Sequence, residues 1–306
     1  MGSAWTVKIA GPLPAPAIAL QAGAQAAFER VNLALSTYRP DSALSLFNDT
    51  PTSDWVDVDP ELAVVMSYAL SLGERSDGAY DVTVGPLVNL WGFGPDPAKR
   101  VVPDAAAIDA ARARVGWRRV EVDVGHHRAR KPPAVRVDLS SLGKGRGVDR
   151  VAEYLDAQGV SNYLIDLSGK LRAHGRNARG EPWRVAVEKP GPDDPAGESS
   201  VVSEIVELDD ASVATAGDYR RYFEAGGRHY SHIIDPRTGY PVTHATLSAT
   251  ALARDCMTAD ALATVFMAMA PAAALKLAND ANTPALLIRR DTDRVAFSPS
   301  DTWPVR

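Results

Sequence analysis

Two oxygen-bearing side chains stand four residues apart in the otherwise apolar stretch CMTADALATVFMAMA (residues 256–270). Because residues i and i+4 share one face of a helix, Asp260 and Thr264 point the same way. One interpretation is structural, with Thr258 capping the helix, Asp260 meeting the helix dipole and Thr264 bonding back to a carbonyl. The other is half of an oxygen site for a hard cation such as Mg²⁺. The stretch alone leaves both open.

A second candidate is the glycine-rich segment GKGRG (residues 143–147). It is not a Walker phosphate loop, because Asp138 stands where that motif needs glycine and Gly145 stands where it needs Ser or Thr. Its glycine spacing also differs from the dinucleotide-binding pattern G-x-G-x-x-G. A glycine turn that opens a helix still presents backbone N–H groups to an anion, and Lys144 and Arg146 add positive charge. This segment is therefore a candidate phosphate site.

The third candidate is RHYSHIIDPRTGYPV (residues 228–242). A strand here would place Tyr230, His232 and Ile234 on one face and His229 on the other. A proline- and glycine-containing turn follows over residues 235–239. A histidine beside such a turn can act as a general base, or it can be a partly exposed residue of a sheet, and the segment alone does not decide between them.

The elements that must position these residues follow from hydrophobic periodicity and from proline and glycine positions. Residues 36–49 are expected to form turns, and residues 135–175 a strand, a glycine-rich turn, a helix and a strand. We expect helices over residues 17–35, 60–76, 104–114, 256–270 and 271–279, and strands near 5–9, 119–124, 182–189, 203–208, 211–215, 284–289 and 294–298. With no internal repeat and no linker, the sequence predicts one α+β domain over residues 1–306, with two lobes around a cleft.

Composition limits the function classes. The chain has 306 residues, 45% of them hydrophobic and 23% charged, with a net charge of −5, which is typical of a globular protein. No acidic or basic block suggests nucleic acid or an anionic membrane as a partner. No apolar run reaches the roughly 18 residues of a membrane helix, and the strand-like start predicts a chain without a signal peptide. The single cysteine, Cys256, excludes an internal disulfide and fits a packed core thiol better than a catalytic one.

Seven motifs together resemble a known family. They are MGSAWTVKI, STYRPDSALSLFN, DGAYDVTVGPLVNLWGF, DLSSLGKGRGVD, SVATAGDYRRYFE, HYSHIIDPRTGYPV and DCMTADALATVF. In order and spacing, from the first residue to about residue 270, they resemble the ApbE-like FAD:protein FMN transferases. The resemblance implies a mixed α+β architecture related to the T-fold. Seven motifs in order are far more specific than any one of them.

The resemblance also implies a set of site residues. Mg²⁺ would be held by Asp260, Thr264 and the carbonyl of Gly143, which leaves positions on an octahedral ion for pyrophosphate oxygens. His232 lies where the family has a histidine near the reacting phosphate. The flavin nucleotide would contact Met1, Tyr38, Ala79, Tyr80, Asp81, Ser140, Arg146 and Ile234, with Tyr38 offering a stacking face.

The reaction implied by the resemblance is phosphoryl transfer. Such enzymes cleave the pyrophosphate of FAD, attach FMN to a Ser or Thr hydroxyl of a target protein and release AMP. His232 is the first candidate for the base that accepts the hydroxyl proton, and Asp235 is the second. The family implies a membrane-bound electron-transfer subunit as the acceptor and a periplasmic or cell-envelope location.

Four positions depart from the family pattern. In DLSGK (residues 166–170), Ser168 and Lys170 stand where the family more often has a glycine and an acid. Arg146 replaces a residue that is often aromatic, which exchanges stacking for a phosphate contact. Gly143 replaces an alanine. Lys170 motivates an alternative, an FAD carrier with weakened catalysis, and a third hypothesis is a pyrophosphatase that splits FAD into FMN and AMP.

Overall fold

Seven strands form the largest sheet, and every neighbouring pair in it is antiparallel. The computed structural model describes residues 2–94, 100–189, 201–217, 222–291 and 294–304. The strands along the chain are β1 (Trp5–Ile9), β2 (Val56–Asp57), β3 (Glu121–Asp123), β4 (Arg128–Arg130), β5 (Tyr163–Leu167), β6 (Lys170–His174), β7 (Trp183–Lys189), β8 (Val201–Leu208), β9 (Ser212–Gly217), β10 (Tyr222–Ala225), β11 (Arg228–Ser231), β12 (Ile234–Asp235), β13 (Tyr240–Pro241), β14 (Thr246–Ala253), β15 (Ala285–Asp291) and β16 (Arg294–Pro299). The large sheet has the order β1-β5-β6-β9-β14-β15-β16.

Eight α-helices accompany the strands in the described ranges. They are α1 (Ala17–Leu35), α2 (Ala43–Asn48), α3 (Pro60–Arg75), α4 (Gly85–Leu90), α5 (Ala105–Arg112), α6 (Ser140–Ala157), α7 (Cys256–Ala268) and α8 (Pro271–Asp280). Smaller sheets pair β2, β4 and β3, and β7 with β8, while β10–β11 and β12–β13 form short hairpins. This mixture of helices and antiparallel sheets confirms the predicted α+β class, whereas the single domain over residues 1–306 stays a prediction. None of the described helices is both long and apolar enough to cross a membrane.

The large sheet is covered by different elements on its two faces. On one face of β14 and β15, Ala251 and Leu287 belong to the core formed with α3, α7 and α8. On the other face, Leu252 and Leu286 pack with the β7–β8 ribbon. Side chains alternate because successive residues of a strand point to opposite faces. The helix-covered face is the one that meets α6 and α7.

Helix α7 lies on small side chains of the sheet. The strand residues beneath it, Ala214 of β9 and Ala249 and Ala251 of β14, are fully buried, and α7 packs against both strands. Methyl groups let a helix approach a sheet closely. Most of α7 is itself buried, as its apolar composition predicts. Any polar group on this helix must therefore find its partners inside the protein.

The predicted glycine-rich turn is wrong, because residues 143–147 lie inside helix α6. Helix α7 explains the glycines better than turn formation does. A Cβ at Gly145 would lie 2.4 Å from the carbonyl oxygen of Cys256, so only glycine allows the two helices to come this close. The predicted strand before it is also absent. Residues 135–139 instead form an irregular segment that the Asn48 amide holds by two hydrogen bonds to Val137, of 2.7 and 2.8 Å.

The other predicted helices and strands were confirmed in part. The limits of β1 and α1 are confirmed, and the remaining predicted helices and strands are present with ends shifted by a few residues. Residues 36–49 were expected to form turns only, yet they contain α2, whose start is capped by Ser42 accepting from the Ser45 N–H at 3.0 Å. One continuous strand through His232 is wrong, since β11 ends at Ser231 and β12 begins at Ile234.

Candidate active site

Asp260 lies where α7, α6 and β6 meet. Its side chain is almost completely buried, with the residue 3% exposed. One carboxylate oxygen, Oδ2, accepts the backbone N–H of Gly145 at 3.0 Å. The other, Oδ1, lies 2.9 Å from the ammonium of Lys170. A buried carboxylate needs such partners, and here two different elements supply them.

Lys170 reaches Asp260 because a tight hairpin fixes the start of β6. The two loop residues between β5 and β6, Ser168 and Gly169, have φ angles of 51° and 80°, as a two-residue hairpin turn of type I′ requires. In this register Lys170 pairs with Leu167 and Ala214, on the face that meets α7. The residue is 8% exposed, and its Nζ also donates to the carbonyl of Thr215 at 2.6 Å.

A second ion pair lies two residues further along β6. Arg172 is 3.1 Å from Asp149 of α6, whose two oxygens accept the backbone N–H groups of Cys256 and Met257 at 2.8 Å each. Asp149 thereby caps the start of α7 from a neighbouring helix. Burial is the main cause that raises the pKa of Asp149 to about 6, against these hydrogen bonds, which lower it.

The N-cap of α7 differs from the sequence prediction. Asp255, not Thr258, is the capping residue, and its side chain accepts the Thr258 N–H at 2.8 Å. The prediction of Thr258 as the cap is therefore wrong by three residues. Asp260 is the fifth residue of the helix, one turn beyond the N–H groups that Asp149 and Asp255 satisfy, so capping does not explain its position.

The hydroxyl of Thr264 donates to the Asp260 backbone carbonyl at 3.2 Å, as the structural interpretation predicts. A hydroxyl that donates its proton keeps its lone pairs, so this bond leaves Thr264 able to bind a cation. Gly143 lies two residues before Gly145 in α6, and a Cβ there would meet no atom within 4 Å, so this side of α6 is open.

The donor types at this junction, a carboxylate, a hydroxyl and a backbone carbonyl, fit Mg²⁺. No cluster of three or more His, Cys, Asp or Glu side chains that could hold a metal exists among the described residues, so a metal here depends on mixed oxygen donors. One feature opposes the fit. The Lys170 ammonium holds Oδ1, the Asp260 oxygen that Gly145 does not contact, and so brings a positive charge to the carboxylate.

Tyr80 connects the segment before α4 with the start of α6. Its hydroxyl lies 2.7 Å from the Ser141 hydroxyl. Burial raises the pKa of Tyr80 far above its usual range, and the nearby Asp138 and Asp260 charges add to the shift. Tyr80 is therefore a neutral hydrogen-bonding group. Ala79, next to it, is buried in the core shared with α3 and α7.

Asp81 is held within its own loop. Its Oδ1 accepts from the backbone N–H and the hydroxyl of Thr83, at 2.7 and 2.6 Å, and its Oδ2 accepts the Trp117 N–H at 3.0 Å. Burial raises the pKa of Asp81. The carboxylate thus fixes the path of the chain before α4, and its contact with a nucleotide stays a prediction.

The two predicted contacts on α6 have different surroundings. Ser140 is exposed at the first residue of the helix, and its N–H donates to Asp138 at 2.8 Å. Arg146 is committed to carboxylates, namely Glu61 of α3 and Glu153 of α6. Since both pairings use guanidinium N–H groups, a phosphate contact by Arg146 would compete with them.

The remaining flavin candidates are spread over other elements. Tyr38 follows α1 and is 71% exposed, so its ring is available for stacking. Ile234 is buried among the aromatic and aliphatic side chains around Leu87 and Trp91. Met1 lies outside the described residues. These positions are consistent with a surface contact for Tyr38 and a supporting role for Ile234.

The two candidate bases lie close together in sequence, His232 between β11 and β12 and Asp235 at the end of β12. The His232 ring meets the Phe93 ring edge-on, with centroids 6.2 Å apart. Asp235 accepts from the Arg237 guanidinium through both oxygens, at 2.9 and 2.8 Å. Both Asp235 oxygens are therefore occupied by Arg237, and His232 stays the first candidate for the base.

Sequence reasoning missed the partners of Asp260. Its contacts with Gly145 and Lys170 arise from the packing of α6, α7 and β6, as does the Asp149 cap of α7. Lys170 stood out as a departure from the family motif, but its distance of 90 residues from Asp260 in sequence gave no hint of their pairing. The alternation of Lys170 and Arg172 along β6 was the one available signal, since two basic residues on a buried face need acidic partners.

Comparison with known proteins identifies the family. The model of the ApbE family matches residues 1–287. An FAD:protein FMN transferase of Vibrio cholerae is 42% identical over 294 residues, which cover 96% of this chain and 86% of the relative. One from Haemophilus influenzae is 38% identical, covering 98% and 88%. The solved structure of the flavin transferase ApbE from Vibrio cholerae superimposes with a TM-score of 0.90 at 41% identity, over 99% of this chain and 95% of that one. The chain therefore belongs to the ApbE family.

Proposed function

We propose that this protein transfers FMN from FAD to a Ser or Thr hydroxyl of an acceptor protein, with Mg²⁺ as cofactor and AMP as the leaving product. The relatives named FAD:protein FMN transferase support flavin transfer. The observation that carries the proposal for this chain is the buried Asp260 carboxylate beside α6, with Thr264 one turn further along α7. A carboxylate so deep in a protein fits a site that handles a cation.

Phosphoryl transfer depends mainly on positioning and on neutralising charge. Asp260, Thr264 and the Gly143 carbonyl would hold Mg²⁺, which would supply that neutralisation at the pyrophosphate of FAD. Gly145 holds Asp260 in place through its N–H, and the amino end of α6 favours negative charge nearby. Tyr38 provides an exposed ring for the flavin.

His232 is proposed as the base. Its imidazole accepts the proton of the acceptor hydroxyl while that oxygen attacks the phosphorus of the FMN half, and the bond to the AMP oxygen breaks. Asp235 is the weaker alternative, because Arg237 holds both of its oxygens. The acceptor proposed from the family resemblance is a membrane-bound electron-transfer subunit, and the proposed location is the periplasm or cell envelope.

The decisive experiment supplies FAD, Mg²⁺ and an acceptor domain with a target threonine. Intact-protein mass spectrometry should show that the mass of the acceptor increases by one esterified FMN, and AMP should be released at the same time. An acceptor variant in which valine replaces the target threonine should show no increase in mass. If AMP appears at the same rate without any acceptor, the protein is an FAD pyrophosphatase.

A carrier function is the second candidate, and one observation favours it. The Lys170 ammonium occupies Oδ1, one of the two Asp260 oxygens that could bind a metal ion. If this pairing persists when FAD is bound, the protein would hold FAD without turning it over. Tight FAD binding with neither AMP release nor acceptor modification would support the carrier over the transferase.

A further inference from the structure

The pairing of Lys170 with Asp260 is a feature of this site that the proposed function does not explain. Both side chains are nearly enclosed, with 10% and 4% of their surfaces exposed. The ammonium has two protein partners, Asp260 Oδ1 at 2.9 Å and the Thr215 carbonyl at 2.6 Å. A pair so well shielded from water is hardly screened by solvent, so the attraction is strong.

The position of the ammonium matters because Gly145 already binds the other oxygen of Asp260. The Gly145 N–H already uses one lone pair of Asp260 Oδ2, so, before Lys170 is counted, Oδ1 is the oxygen with more lone pairs for a metal ion. Lys170 holds that same oxygen. A divalent ion in contact with Oδ1 would lie within a few ångströms of the ammonium, and two cations at that separation repel each other strongly in a buried site.

We propose that Lys170 is a tethered cation that competes with Mg²⁺ for the Asp260 carboxylate. In metal-free protein the ammonium neutralises Asp260, and a divalent ion binds only when the ammonium leaves Oδ1. The long, flexible lysine stem makes that movement feasible. This inference rests on the proposed function, because it assumes Asp260 to be the metal-binding carboxylate. Its consequence is a metal affinity set by a residue that never contacts the metal.

Isothermal titration calorimetry of Mg²⁺ binding, without FAD or acceptor, tests the competition. Lys170→Met removes the charge and keeps most of the side-chain volume, and we expect it to bind Mg²⁺ at least tenfold more tightly than wild type. Lys170→Arg keeps a cation and should bind no more tightly than wild type. Arg172→Met alters the neighbouring ion pair on the same strand face without touching Asp260, so its affinity should match wild type. A K170M affinity equal to or weaker than that of wild type overturns the proposal.

A double variant locates the effect. If the gain in affinity arises at Asp260, then Lys170→Met combined with Asp260→Asn should lose it. Tight binding that survives in the double variant would place the metal elsewhere and overturn the proposal. The test does not depend on turnover. A higher Mg²⁺ affinity of the Lys170→Met variant, in a protein that transfers no FMN, would contradict the proposed function alone. FMN transfer together with equal Mg²⁺ affinities of wild type and variant would contradict the competition alone.

A measurement on wild-type protein covers the case in which K170M does not fold. A buried, hydrogen-bonded lysine ammonium gives an observable ¹⁵N NMR signal in lysine-labelled protein, and K170R identifies the signal by its loss. Addition of Mg²⁺ to saturation, as defined by calorimetry, should shift or abolish this signal. A Lys170 signal unchanged in saturated protein would show that the ammonium stays on Asp260, which contradicts the proposal.

Discussion

At the scale of single residues, Asp260 is a carboxylate whose two oxygens are held by different elements. Gly145 of α6 donates to one and Lys170 of β6 pairs with the other. Its neighbour one turn on, the half-buried Thr264, bonds to its own helix as an ordinary helical threonine does. The carboxylate is therefore the group of this pair that sets the site apart from a normal helix interior.

Asp260→Asn should reduce FMN transfer by about 100-fold or more, because an amide replaces the charge needed for a cation while still accepting the Gly145 N–H. The rate of acceptor modification, measured by mass spectrometry, checks this. Asp280→Asn, at the exposed Lys276 ion pair on α8, is the matched control and should transfer FMN at the wild-type rate. An Asp260→Asn variant that kept more than about a tenth of the wild-type rate would remove Asp260 from the machinery.

Tyr38→Ala should weaken FAD binding by about 1 to 3 kcal/mol, the range found when an aromatic stacking platform is removed. Because Tyr38 is largely exposed, the free energy of unfolding should hardly change. Tyr38→Phe keeps the ring and should bind FAD like wild type. Fluorescence titration of FAD measures both variants, and an unchanged dissociation constant for the alanine variant would exclude stacking on Tyr38.

At the scale of elements, the contact between α6 and α7 determines the geometry of the site. Three contacts join these helices: the close approach at Gly145, the Gly145 N–H bond to Asp260, and the Asp149 carboxylate, which accepts two N–H groups at the start of α7. Each contact involves backbone atoms. The position of Asp260 relative to the Gly143 carbonyl therefore depends on how closely the two helices pack.

The glycines of α6 offer a matched pair of substitutions. Gly145→Ala should lower the free energy of unfolding by about 1 to 3 kcal/mol, because the new Cβ would meet the Cys256 carbonyl at 2.4 Å. Gly143→Ala meets no atom within 4 Å and should be neutral or stabilising by up to about 1 kcal/mol. Denaturant unfolding measures both. Equal stability of the two variants would contradict the close packing at Gly145.

Asp149 predicts a pH dependence at the α6–α7 contact. Its folded-state pKa of about 6 is raised above the value of 3.8 in an unfolded chain, so the folded protein holds the proton more tightly. The stability that this contributes is complete below pH 3.8 and is lost as the pH rises through about 6. Compared with Asp149→Asn, wild type should therefore lose unfolding free energy between these pH values. A gain instead would mean that Arg172 and the two N–H groups outweigh burial.

At the scale of the whole molecule, local signals in the sequence predicted elements but not their contacts. The proline-rich segment before α1 and the periodic apolar residues within it fixed the limits of that helix. Strand β14 was missed because its sequence, TLSATALA, has few β-branched and no aromatic residues; its alanines reflect contact with α7. The glycines of α6 were likewise assigned wrongly to a turn, because glycine has a low helix propensity. In the folded protein the packing of α6 against α7 outweighs that propensity.

Lys170→Glu tests how the whole protein tolerates two acids at the junction. Without metal, the introduced carboxylate would face Asp260 in a buried site, and the free energy of unfolding should fall by roughly 3 to 5 kcal/mol in EDTA. Mg²⁺ should recover part of the loss, since it neutralises both carboxylates. Lys276→Glu, at an exposed ion pair, is the control and should show little change with either treatment. Thermal denaturation with EDTA or Mg²⁺ measures both, and equal stability of the Lys170→Glu variant and wild type would contradict a buried pair.

The two-residue hairpin of Ser168 and Gly169 has a consequence for how this site can change during evolution. Side chains alternate along β6, so a strand that slips by one residue after a loop insertion would turn Lys170 away from α7 and put Leu171 in the place of Arg172. Asp260 would then lose its ammonium partner, and Asp149 would face a hydrocarbon in place of a guanidinium. Loop length is thus under constraint even though neither loop residue touches the site, and we expect insertions here to be rejected while substitutions at position 170 remain open to selection.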